Sequence, residues 1–201
     1  MNNFKVLGKL PVKPLIKALA ERDDLWNKHL DRQMGADMVS PGTKFDDIWV
    51  HMAQSVNEMS PDQKHEMMTK GPWINPANFW RQAYYELPIK DILMQAFHFL
   101  DGQAYGRVFM SRMKPGAKIF PHIDQDILHF ARTHVALSED KDQIFKCGDE
   151  VFSPKLGEIF WFDNSLLHSV ENNSEIDRLT LVIDMQTPWH GYFKARSFNK
   201  D

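Results

Sequence analysis

A histidine and an aspartate two positions apart, His122 and Asp124, are followed 44 residues later by a second histidine, His168. Two imidazoles and a carboxylate can fill one face of an octahedral metal and leave the other face for substrate and oxygen. This is the donor set of non-haem Fe(II) oxygenases. In extended backbone the side chains of residues i and i+2 point to the same side, so one ion can take both His122 and Asp124. Pro121, immediately before them, keeps the segment out of a helix interior and favours an extended approach. Bonding needs neutral imidazoles and an ionised carboxylate, so affinity is expected to fall at acid pH. A histidine-x-aspartate pair is also common by chance, and the chain has nine histidines. Of these, His29, His51, His65, His98 and His190 are assigned to structure or surface.

Arg178 follows ten residues after His168. It opens a run in which Leu179, Leu181, Ile183 and Met185 alternate with Thr180, Val182 and Asp184. A guanidinium inside a barrel is costly unless it meets an anion, and its planar fork suits bidentate binding of a carboxylate. The competing role is an ion pair with a local acid, Asp177 or Glu175.

These residues need a scaffold, and the apolar pattern changes near Gly102. Before it the spacing is mostly helical. Ile89, Ile92, Leu93, Ala96, Phe97 and Leu100 form one buried helix face, preceded by Pro88 and ended by Asp101-Gly102. Ile48, Met52, Val56 and Met59 form a second stripe, opened by Asp46-Asp47 and closed before Pro61. Gly71-Pro72-Trp73-Ile74-Asn75-Pro76 reads as a packed loop or a lid. Trp73, Trp80, Tyr84 and Tyr85 are expected to pack on helices, the alternative being closure over a pocket mouth.

After Gly102, short strands are predicted over residues 107–113, 133–137, 143–146, 158–162 and 179–185. The breakers Lys114-Pro115-Gly116, Cys147-Gly148-Asp149, Ser153-Pro154 and Asn172-Asn173-Ser174 separate them. His168 comes after the Asp163-Asn164-Ser165 turn, a position that can bring it across the barrel to the first pair. The expected fold is mainly β with flanking helices: a double-stranded β-helix (jelly-roll, cupin-like) core over residues 103–190, and a helix-rich part, residues 1–102, packed on it. A single domain covering residues 1–201 is expected.

The composition is that of a globular protein, 43% hydrophobic and 25% charged. A formal net charge of -3 and the lack of a basic, aromatic-interleaved stretch argue against nucleic-acid binding and against a nucleic-acid demethylase. Lys5, Lys9, Lys13 and Lys17 form only a modest basic stripe, read as a solvated face. No apolar run has membrane-spanning length. The first residues lack a signal peptide, and Cys147 is the lone cysteine, so the expected location is the cytoplasm.

Several stretches together resemble a known family. They are residues 108–116, with Ser111 and Lys114-Pro115-Gly116; Phe120-Pro121-His122; residues 157–168, from Gly157-Glu158 through Asp163-Asn164-Ser165 to His168; and residues 177–184, opened by Asp177-Arg178. In order and spacing they are similar to the aspartyl/asparaginyl β-hydroxylases among the Fe(II)/2-oxoglutarate-dependent dioxygenases. They cover somewhat under half of the chain, all in its second half.

The resemblance implies that His122 and His168 ligate iron and that Arg178 pairs with the distal carboxylate of 2-oxoglutarate, which Ser111 also contacts. Arg132 and His134 resemble an arginine-x-histidine pair that helps hold the same cosubstrate near the metal, at a spacing one residue longer than in the best-known animal members. Those members have glycine where this chain has Asp124, which here completes a full triad with His122 and His168. The implied cofactors are Fe(II), 2-oxoglutarate and O2. The implied reaction is hydroxylation of an unactivated C–H bond, in an amino acid or peptidyl residue, with release of succinate and CO2. Aromatic residues from Phe160, Trp161 and Phe162 are expected to line part of the pocket, though neighbours on a strand cannot all do so. The alternatives are a cupin-like metal or organic-acid binding protein without turnover and a metal-independent interaction domain.

Overall fold

The computed structural model describes residues 3–28, 45–52, 60–62, 79–124 and 130–188. The strands are β1 (Phe4–Lys9), β2 (Phe45–Met52), β3 (Phe79–Trp80), β4 (Ala104–Met113), β5 (Lys118–His122), β6 (Ala131–Ala136), β7 (Gln143–Cys147), β8 (Glu150–Phe152), β9 (Glu158–Phe162), β10 (His168–Asn172) and β11 (Arg178–Gln186). The helices are α1 (Lys13–Ala20), α2 (Gln82–Glu86) and α3 (Lys90–Phe99). Among the described residues these make two antiparallel sheets, a larger one in the order β1-β9-β6-β11-β4-β2-β3 and a smaller one in the order β5-β10-β7-β8.

The central strands of the larger sheet are largely buried on both faces, with apolar side chains on the outer one. Along β11, Leu181, Ile183 and Met185 turn outward. There, with Ile48, Val108 and Met110, they meet Leu15 and Leu19 of α1 and Ile92, Leu93 and Ala96 of α3. Val182 turns the other way, towards Trp49 and Phe109. Between the sheets lies a second cluster of Phe4, Phe45, Met113, Phe145, Phe160, Phe162 and Val170. One face of the larger sheet therefore carries the helices, and the other encloses the interior in which the site lies.

Helix α3 follows the predicted stripe, with Ile92, Leu93 and Ala96 buried. It stops where Asp101 turns left-handed, at φ 48°, and the Gly102 N–H donates to the Phe97 carbonyl at 2.8 Å, the bond pattern of a Schellman cap. A Cβ on Gly102 would stand 2.5 Å from Met185 Sδ and 2.6 Å from the Phe97 ring, so the position requires glycine for close packing.

Two expectations for the first half are corrected. The stripe through Ile48 and Met52 is not helical: it is β2, paired with β4 from Phe45↔Met113 to His51↔Val108. Both faces of β2 are buried, so strict apolar–polar alternation is lost, and a register shift between Trp49 and His51 disturbs it further. Val56 and Met59 lie outside the described residues. Nor is the first half a helical layer alone, because β1 and β2 extend the larger sheet by pairing with β9 and β4. The loop expected at Gly71–Pro76, with Trp73, also lies outside the described residues. Trp80 and Tyr84 pack as expected, ring centroids 4.1 Å apart. Tyr85 stacks edgewise on Tyr84 and remains exposed.

Candidate metal centre

His122 is the last residue of β5, His168 the first of β10, and the two are direct partners across the antiparallel ladder. His168 therefore reaches His122 from the neighbouring strand of the same sheet, rather than from across the barrel. Asp124 follows two residues after His122, its N–H bonded to the Asn164 carbonyl at 3.3 Å. The turn after β9 thus fixes the backbone that presents Asp124. One ligand atom from each of His122, Asp124 and His168 lies within 4.8 Å of the others.

The hydrogen bonds fix which imidazole nitrogens carry protons. His122 Nδ1 is 2.8 Å from the Phe120 carbonyl and His168 Nδ1 is 2.9 Å from the Leu166 carbonyl. A carbonyl only accepts, so in the neutral ring the proton of each histidine sits on Nδ1 and Nε2 is the atom with the lone pair. His122 Nε2 lies 3.9 Å from Asp124 Oδ1, and His168 Nε2 lies 3.9 Å from Asp124 Oδ2. Two imidazole Nε2 atoms and a carboxylate converge, a donor set that a cation satisfies. The residues present fit a divalent metal of the Fe(II) type on this ground.

The electrostatics agree. Burial pushes the His168 pKa down, against the pull of Asp124, and so favours the neutral imidazole. Burial opposes the charge on Asp124, but the Arg132 guanidinium, with His168, more than offsets it, so the carboxyl titrates below its ordinary range. Arg132 Nη1 donates to Asp124 Oδ2 at 2.7 Å, and Asn164 Nδ2 reaches the same oxygen at 3.4 Å.

The structure disperses the other predicted site residues over the inner face of the larger sheet. Ser111 on β4 and Arg178 at the start of β11 are both buried. Ser111 pairs with Thr180, and Arg178 with Met113, so Ser111 and Arg178 are diagonal neighbours across the two strands. Arg178 Nη1 lies 3.9 Å from Met113 Sδ. Of the local acids, Asp177 is bonded by Lys114 at 2.8 Å and Glu175 is exposed. The His134 ring sits among Phe145, Phe160 and Phe162, centroids 5.2 to 5.5 Å away, and Phe162 also packs edgewise on His168 at 4.9 Å. Phe160 and Phe162 thus face the interior, while Trp161 alternates to the opposite face beside its partner Thr133.

The sequence reading missed Asp184, Arg107 and Asn164. Asp184 accepts from Arg132 Nε at 2.7 Å and Nη2 at 2.9 Å, and from Arg107 Nε at 3.1 Å. The available signal was an acid in the middle of an otherwise apolar strand, which is rarely tolerated without a cation. His51, assigned to structure, is buried with Nδ1 on the Gly106 carbonyl.

The sequence profile described as aspartyl/asparaginyl beta-hydroxylase matches residues 49–188. No curated protein matches the chain in sequence. Among solved structures, a prolyl hydroxylase from Trichoplax adhaerens, in complex with a hypoxia inducible factor oxygen degradation domain peptide fragment, is similar over 100% of this chain and 89% of its own. The identity is 11% and the TM-score 0.51. AviO1 from Streptomyces viridochromogenes is similar over 92% of this chain and 90% of its own, at 14% identity and a TM-score of 0.50. At these identities the likeness is one of fold. No described helix is long and apolar enough to cross a membrane.

Proposed function

Since this chain belongs to the aspartyl/asparaginyl β-hydroxylase family, we propose that His122, Asp124 and His168 hold its metal and that the substrate is an amino acid, free or within a peptide. It is an enzyme of the 2-oxoglutarate-dependent dioxygenase kind, with Fe(II) and 2-oxoglutarate as its cofactors. When bound, that pair supplies the oxidative chemistry: O2 is consumed, succinate and CO2 are released, and a hydroxyl group enters an unactivated C–H bond.

The protein's own residues bind, orient and exclude water. His122 and His168 offer Nε2 because their Nδ1 protons are held by backbone carbonyls. Asp124 supplies the negative charge and is kept ionised by Arg132. Arg178 and Ser111, buried together on the inner face, are assigned to the distal carboxylate of 2-oxoglutarate, which the planar fork of a guanidinium can bind bidentately. His134 and Arg132 are assigned to its metal-proximal end. Arg132 commits three of its five N–H groups to Asp124 and Asp184, leaving two for the cosubstrate. Phe145, Phe160 and Phe162 wall this space with apolar surface and keep bulk water from it.

The observation that carries this reading is the convergence of ligand atoms from His122, Asp124 and His168 within 4.8 Å of one another. Its test is an anaerobic titration of metal-free protein with Fe(II) and 2-oxoglutarate, following the visible charge-transfer absorption of the chelate. The band is expected in the unaltered protein and lost in His168→Ala. In Arg178→Ala it should require more 2-oxoglutarate. Iron binding without the band would show a metal-binding protein without this cosubstrate, and no iron binding would remove the centre altogether.

A further inference from the structure

Arg132 and Asp184 are direct partners across β6 and β11, and their side chains meet fork to fork at 2.7 and 2.9 Å. The guanidinium continues to Asp124 Oδ2 at 2.7 Å, and Arg107 supports Asp184 from the other side at 3.1 Å. The four charges run in series as Arg107, Asp184, Arg132, Asp124. Side-chain exposure is 4% at Asp184, 14% at Asp124 and 17% at Arg132. Desolvating such charges is costly, and an apolar pair would serve sheet stability as well or better. The backbone also makes room for them. β11 shifts register between Ile183 and Met185, and a Cβ on the facing Gly106 would stand 3.0 Å from Asp184 Cβ and 2.9 Å from the Phe130 ring.

We propose that Asp184 and Arg132 form a relay that fixes the orientation of Asp124, with Arg132 as a positioning residue for the metal ligand. This rests on the reading that His122, Asp124 and His168 hold the metal. Among the described residues, Oδ2 receives Arg132 and Asn164, while no hydrogen bond reaches Oδ1, so the relay presents Oδ1 to the ion. A carboxylate held to one coordinating oxygen keeps the remaining positions free for a chelating cosubstrate and O2.

The test uses Co(II) alone, without 2-oxoglutarate, read by its visible d–d absorption in the full chain. Arg132→Gln is expected to weaken Co(II) binding by about ten- to a hundredfold and to change the intensity of the d–d bands. Asp184→Asn should act in the same direction, Arg132→Lys should recover part of the affinity, and Arg178→Ala should leave it unchanged. Melting of the metal-free variants separates loss of affinity from loss of fold. If Arg132→Gln does not fold, Asp184→Asn and Arg107→Gln carry the comparison. Unchanged Co(II) affinity and spectrum in Arg132→Gln and Asp184→Asn would overturn the relay, and weakened 2-oxoglutarate binding beside them would leave Arg132 a cosubstrate residue only. Failure of the unaltered protein to bind Co(II) would overturn the metal centre, and the relay with it.

Discussion

At the scale of single residues, the neutral imidazoles are the feature with the clearest consequence for solution behaviour. Burial lowers the pKa of both His51 and His168 from the ordinary 6.5, against the Gly106 carbonyl in one case and Asp124 in the other. The folded metal-free protein therefore takes up these protons less readily than the unfolded chain. The stability they contribute is complete above the unfolded-state pKa and is lost as pH falls from there through the lower folded-state values. The urea midpoint of metal-free protein is expected to drop between about pH 7.5 and about pH 5.5, and the drop should shrink in His168→Asn. A midpoint independent of pH in this window would contradict the protonation states assigned here. Asp124, Asp184 and their arginines are ionised throughout this window, because the folded-state pKa of both acids lies below the ordinary 3.8.

At the scale of elements, the sequence was most readable where one face of an element meets solvent or where breakers bracket it. Helix α3 and strands β4, β6, β7, β9 and β11 emerge near their predicted positions on those grounds. Strand β2 does not: like β4 and β11 it is buried on both faces, but no turn signal follows Met52, and Ile48 and Met52 are spaced like a helix. The convergence of His122, Asp124 and His168 was legible because its signal is local: two residues at i and i+2, and a third after a turn. The partner of Arg132 was not, because Asp184 stands 52 residues away and only the register of β6 against β11 makes them neighbours. Gly102 tests the element level directly. With Met185 and Phe97 at 2.5 and 2.6 Å from an added Cβ, Gly102→Ala should destabilise by about 1–3 kcal/mol. This would appear as a lowered melting temperature, with the far-UV spectrum of the remaining protein unchanged.

At the scale of the whole molecule, the family match begins at residue 49, yet β1 lies well before it and completes the larger sheet by pairing with β9. Phe4 reaches into the space between the sheets, with Phe152 at 5.1 Å and Phe145 at 5.4 Å. The same Phe145 stacks beside His168. The first strand is therefore part of the aromatic wall beside the candidate metal centre. Phe4→Ala is expected to cost about 3–5 kcal/mol, measured by denaturant unfolding, while leaving Co(II) affinity within twofold at temperatures where the variant is folded. A variant as stable as the original would mean that β1 is an ornament on the sheet.

Strand β5 borders the smaller sheet and is tied to it through three residue partnerships with β10, one of which is His122 with His168. An ion held as proposed by those two imidazoles would tie the border strand to the body of the protein, with Asp124 as the third leg. Filling the centre and keeping β5 seated would then be a single linked equilibrium. At a free metal concentration a hundredfold above Kd, occupancy adds about 2.7 kcal/mol of apparent stability. A chelator would withdraw that amount, and the melting temperature of this enzyme would in consequence be a gauge of how much of it is loaded.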